Sequence, residues 1–108
     1  MKHFEILLPV VSNDKKPYIA ALATWERAAL KIAGGFTELP LASGVWRDEA
    51  TGETYRDAVQ PYRVACSREQ WAQLVMEAFR LFPDQLAIFY CELGEATIET
   101  RAIKPEFD

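Results

Sequence analysis

Cys66-Ser67-Arg68-Glu69-Gln70-Trp71 is the stretch from which the rest of the chain can be read. Ser67 followed three residues later by Gln70 is a capping box. The serine hydroxyl accepts the N3 amide, and the N3 side chain reaches back to the N-cap amide. Cys66 and Trp71 stand at the two positions of a hydrophobic staple. Behind the cap, Trp71, Leu74, Val75, Ala78, Phe79 and Phe82 recur at three- and four-residue steps, which predicts one apolar helix face. Pro83-Asp84 ends that helix.

Upstream, Thr37 to Asp48 and Thr54 to Cys66 read as two strands of a hairpin around Glu49-Ala50-Thr51-Gly52-Glu53. Before them Tyr18, Leu22, Trp25, Ala29 and Ile32 mark a first helix, opened by Pro17 and closed by Gly34-Gly35. Phe4 to Val11 reads as the first strand. Downstream, Leu86 to Leu93 is an apolar strand, Thr97 to Ile103 a further strand in prospect, and Lys104 to Asp108 a loose tail. The order β-α-β-β-α-β predicts a ferredoxin-like α+β fold in one domain, residues 1–108. Right-handed crossovers place the first and third strands at the centre of an antiparallel sheet, with both helices on one face.

Composition narrows the function. The chain is 50% hydrophobic, enough for a core, and its net charge of −4 disfavours a nucleic-acid partner. No run approaches the ~20 apolar residues of a membrane helix. Glu5 and Pro9 interrupt the short apolar start, so a signal peptide is not expected. Cys66 and Cys91 read as two buried thiols of a cytoplasmic protein. His3 is the single histidine and neither cysteine has a second ligand at zinc-like spacing, so no metal and no cofactor are expected. No nucleophile–base pair is recognisable, and Gly34-Gly35 follows a helix, where it cannot cradle a phosphate.

The two sheet faces follow from alternation. Phe4, Ile6, Leu8, Tyr62, Val64, Cys66, Ala87, Phe89, Cys91 and Leu93 are expected under the helices. Setting Arg47 opposite Asp57 also sets Asp48 opposite Arg56, and this charge-matched register puts Trp46 beside Ala58 on the core side. The open face then carries His3, Glu5, Leu7, Val45, Arg47, Tyr55, Asp57, Val59, Arg63, Ile88, Tyr90 and Glu92. Mixed aliphatic, aromatic and ionic, this face calls for a cover. Val59, Ile88 and Tyr90 are the expected interface of a homodimer. Arg47, Tyr55, Asp57, Arg63 and Tyr90 are the candidate binders of a small anionic or planar ligand.

Gly35-Phe36-Thr37, Gly44-Val45-Trp46 and Phe82 to Gln85 together resemble a group of small uncharacterised bacterial proteins with a Gly-x-Thr, Gly-x-Trp and Phe-x-Gln succession. Gln85 stands one residue further from the phenylalanine than in that pattern. The resemblance implies no activity and assigns no site residue. The functional expectation is therefore a non-enzymatic binding or interaction module that self-associates through its open sheet face. A small cofactor-free enzyme of the dimeric α+β-barrel type, with its pocket on that face, is the leading alternative, by fold analogy alone. A phage- or plasmid-encoded partner-binding protein is the third.

Overall fold

A 13-residue strand organises the sheet. In the computed structural model, which describes residues 1–101, the elements are β1 (Lys2–Pro9), α1 (Ile19–Ala33), β2 (Thr37–Glu38), β3 (Ala42–Arg47), β4 (Thr54–Cys66), α2 (Arg68–Leu81) and β5 (Phe89–Glu95). The long strand is β4. It pairs antiparallel with β1 on one side and with both β2 and β3 on the other, while β5 lines the far edge of β1. This is the ferredoxin-like α+β arrangement, with β1 and β4 central.

The helices form where the local signals place them. Ser67 caps α2: its hydroxyl accepts the Gln70 amide at 3.1 Å, and the Gln70 side-chain oxygen accepts the Ser67 amide at 2.9 Å. Gln70 also donates to the Ile32 carbonyl at 2.9 Å, tying the start of α2 to the end of α1. Gly34 closes α1 at φ 86°, a left-handed conformation that costs glycine no steric strain.

Both helices lie on one sheet face. Phe4, Ile6, Leu8, Tyr62, Val64 and Cys66 meet Trp25, Ala29, Trp71, Leu74, Ala78 and Phe82 in a single core. Phe4 stacks on Trp71 at 4.7 Å, and the buried Trp25 indole donates to the Leu74 carbonyl at 3.0 Å. Phe79, expected on the apolar helix face, is 44% exposed, and Cys91 is half-buried instead of buried.

Three expectations are corrected. First, the predicted strand Thr37–Asp48 is broken in two. Thr37 pairs with Arg63 and Glu38 with Tyr62, whereas Ala42 pairs with Val59, so Leu39-Pro40-Leu41 opposes only two residues of β4. Second, the hairpin register is Trp46↔Tyr55 and Arg47↔Thr54, not Arg47↔Asp57. Asp48 and Gly52 close the turn, with Asp48 donating to the Glu53 carbonyl at 2.9 Å, Gly52 to the Asp48 carbonyl at 2.7 Å, and Gly52 at φ 77°. This tight turn and the Trp46–Tyr55 stack at 4.8 Å outweigh two exposed ion pairs, each of order ~0.2–1 kcal/mol. Third, the faces of β5 are exchanged. Ile6 pairs with Tyr90 and Phe4 with Glu92, which puts Tyr90 and Glu92 on the helix side and Phe89 and Cys91 on the open side.

The reason for that exchange lies in α2. Arg68 in its first turn grips Glu92 with two nitrogens at 3.0 and 3.1 Å, and Trp71 meets Tyr90 edge-on at 6.1 Å. Residues 97–101 form no strand. The remainder of the expected last strand, Ala102-Ile103, and the tail 104–108 lie outside the described residues.

Candidate functional site

β1 ends at Pro9, opposite Val59, and beyond that point β3 and β4 continue as a two-stranded ribbon. One more bond, from the Val10 amide to the Ala58 carbonyl at 3.3 Å, follows before the first segment leaves the sheet. The ribbon runs from Ala42 and Val59 to Arg47 and Thr54, about 17 Å at the usual rise, and then the turn. It stands away from the body. The chain measures 69 × 26 × 25 Å, and its 17.1 Å radius of gyration compares with about 13 Å for a compact domain of this length.

On one side of this arm, Trp46 and Tyr55 stack face to face, and the Trp46 indole donates to the Asp57 carboxylate at 2.9 Å. The Tyr55 hydroxyl donates to Glu53 at 2.6 Å, and that bond holds its proton above the usual tyrosine range. Trp46 nevertheless remains 52% exposed, with Val45 and Leu41 exposed beside it. Water reaches both sides of the ribbon.

The register carries the stacked side of the arm onto the open sheet face. Trp46, Tyr55, Asp57 and Val59 lie on the same side as Pro61 and Arg63 of β4, Glu5 and Leu7 of β1, and Phe89 and Cys91 of β5. Glu5 accepts the Arg63 guanidinium at 2.9 Å near the middle of this face. Phe89, opposite Leu7, is 67% exposed. The result is a mixed face with one ion pair, on which Pro61 is buried, Leu7 and Glu5 are half-buried, and Phe89 is exposed at the β5 edge.

Of the residues expected here, Tyr55, Asp57, Val59 and Arg63 do share the open face. Arg47 and Arg56 alternate to the opposite side of the arm, Tyr90 turns under α2, and Ile88 precedes β5 and packs against the core. The arginines therefore do not converge: Arg63 is occupied by Glu5, and Arg47 points away from it. Trp46 and Phe89, expected in the core, belong to the open face instead. For Trp46 the sequence signal is Gly52, since a glycine placed to take positive φ fixes the turn and hence the register. For Phe89 it is Arg68, whose acidic partner from the first turn of α2 is Glu92.

An open groove of about 520 Å³ lies between α1 and α2 on the far side of the sheet, lined by Ala28, Lys31, Ile32, Gln73, Met76 and Glu77. Among the described residues, no three His, Cys, Asp or Glu side chains come together as a metal site would need. No described helix is long and apolar enough to cross a membrane.

No protein-family model matches the sequence, and no curated protein does. The fold has solved relatives. The divalent cation tolerance protein Cut A1 of Thermus thermophilus superposes with a TM-score of 0.66 at 17% identity, covering 91% of this chain and 86% of that one. A point mutant of CutA1 from Pyrococcus horikoshii gives 0.65 at 11% identity over 92% and 87%. The periplasmic divalent cation tolerance protein CutA of Archaeoglobus fulgidus gives 0.58 at 14% identity over 96% and 88%. At these identities the likeness is one of fold. The cytoplasmic expectation is withdrawn, because a protein described as periplasmic has this same fold.

Proposed function

We propose that this chain is a non-enzymatic, self-associating interaction module whose β3–β4 arm docks on the open sheet face of another copy. One observation carries the reading: a stacked Trp46–Tyr55 pair is held out on a two-stranded ribbon with water on both sides. An isolated two-stranded hairpin is marginal in water, and monomers seldom leave a large apolar patch uncovered. Arm and face also complement each other, since the exposed Phe89 with the half-buried Leu7 beside it offers the arm an apolar seat.

Because the arm and the face are different surfaces, the contact closes either by mutual exchange between two copies or around a cyclic ring. A homodimer is the smallest such assembly. The relatives' names speak of divalent cations. No converging ligands support a cation site within one described chain, so the proposal stays with assembly.

Sedimentation velocity of the parent and of Trp46→Ser/Tyr55→Ser tests it. The parent is expected at a multiple of its 12.3 kDa chain mass, and the double variant as a folded monomer. A parent that sediments as a monomer at every concentration contradicts the reading, as does a double variant that assembles like the parent.

A further inference from the structure

Pro61 stands in the middle of a central strand, where proline is seldom found unless a bulge faces it. The bulge is there: Leu39-Pro40-Leu41 opposes Gln60 and Pro61. The Pro61 carbonyl accepts the Leu39 amide at 3.1 Å. In a regular antiparallel pair, Leu39 would accept a bond back from the amide of the same residue. Pro61 has no such proton.

The missing donor is supplied from the neighbouring side chain. Gln60 Nε2 donates to the Leu39 carbonyl at 2.6 Å and to the Pro61 carbonyl at 3.1 Å. Gln60 is 6% exposed, a buried polar residue at the rim of a core that is otherwise apolar among the described residues. A buried amide side chain is costly unless its hydrogen bonds are made, and here both of its protons are engaged.

We propose that Gln60 is the positioning residue of the arm: its amide replaces the N–H that Pro61 lacks and locks the bulge from which the ribbon leaves the sheet. A bulge sets the local bend and twist of its strand, so locking it fixes the direction of the arm. Trp46 lies five residues beyond Leu41, the end of the bulge, about 17 Å of strand, so a hinge error of about 15° would displace the stack by about 4 Å. That exceeds what a close-packed interface absorbs. This inference rests on the reading that the arm mediates self-association.

The test compares the full chain with Gln60→Leu, Pro61→Ala and Gln60→Leu/Pro61→Ala by sedimentation equilibrium, with thermal melting as the fold control. Leucine keeps the bulk and removes the donor. Assembly should weaken about tenfold, the scale of leaving the half-buried Leu39 carbonyl unpaired. Alanine at 61 returns a backbone N–H facing Leu39, so the double variant should recover the assembly of Pro61→Ala alone. The rescue ties the effect to the bond at Leu39. Assembly measured well below each melting transition separates the roles: a glutamine that only stabilised the fold would lower the melting temperature and leave the assembly of the folded chain intact. Should Gln60→Leu fail to fold, Gln60→Glu, which keeps the size and loses both donors, carries the same comparison with and without Pro61→Ala. A parent that assembles together with an unimpaired Gln60 variant overturns this inference alone, as does a double variant left as weak as the single one. A monomeric parent overturns the assembly reading and this inference with it.

Discussion

Ser67, Trp71 and Tyr62 show how single side chains hold the body that carries the arm. Ser67→Ala removes the acceptor of the Gln70 amide and should cost about 1 kcal/mol, measured by denaturant unfolding. Trp71→Ala empties the site between Phe4 and Tyr90 and should cost about 3–5 kcal/mol by the same measurement. Trp71→Phe should cost clearly less, since it keeps the stack and removes a buried indole N–H that has no partner among the described residues. Tyr62 is buried, meets Trp25 and Phe36, and donates its hydroxyl proton to Glu26. Burial first, then that bond and the charge of Glu26, push its ionisation far above the usual tyrosine value. The unfolded chain therefore releases this proton near pH ~10 while the folded chain keeps it, so stability falls as pH rises above that point. Tyr62→Phe should flatten this alkaline limb in melting curves taken across about pH 9–11. A limb as steep as the parent's would place its source elsewhere.

At the scale of elements, the capping box, the two helices and the strand order were legible because each rests on local chemistry that tertiary context does not override. Ser67 and Gln70 need only each other, and Gly34 needs only its own backbone freedom. The hairpin register and the faces of β5 were not legible, because both alternations of Leu86–Leu93 are nearly equally apolar and the charge pairs along the hairpin are weak. What decided them were contacts between distant segments, Arg68 with Glu92 and Trp46 with Tyr55. The bulge was hidden for a related reason: Pro40 and Pro61 are ordinary as single residues and informative only when the register sets Leu39 against Pro61 and leaves Pro40 and Leu41 against Gln60. Tyr55, Asp57, Val59 and Arg63 reached the correct face because β4 alternates without interruption from the turn to Cys66. Val59 sits where the arm leaves that face, half-buried and pointing away from the core. Val59→Asp should leave the melting temperature within a few degrees of the parent and abolish self-association, since an unpaired carboxylate is expensive to desolvate in an interface. Outright unfolding would mean that this side of β4 belongs to the core.

At the scale of the whole molecule, a body with a well-made core carries a ribbon that has none. The body can fold from its own contacts; the ribbon's backbone bonds are open to water in a single copy and should fray readily. The same amides become protected if a neighbouring sheet covers them. Hydrogen–deuterium exchange of the arm, Ala42 to Ala58, followed over a dilution series of the unmodified protein, therefore reads assembly and its site together. Slow exchange at high concentration that becomes fast on dilution, while α2 and β1 stay protected throughout, is the predicted result. Arm exchange that is fast at every concentration would contradict the account.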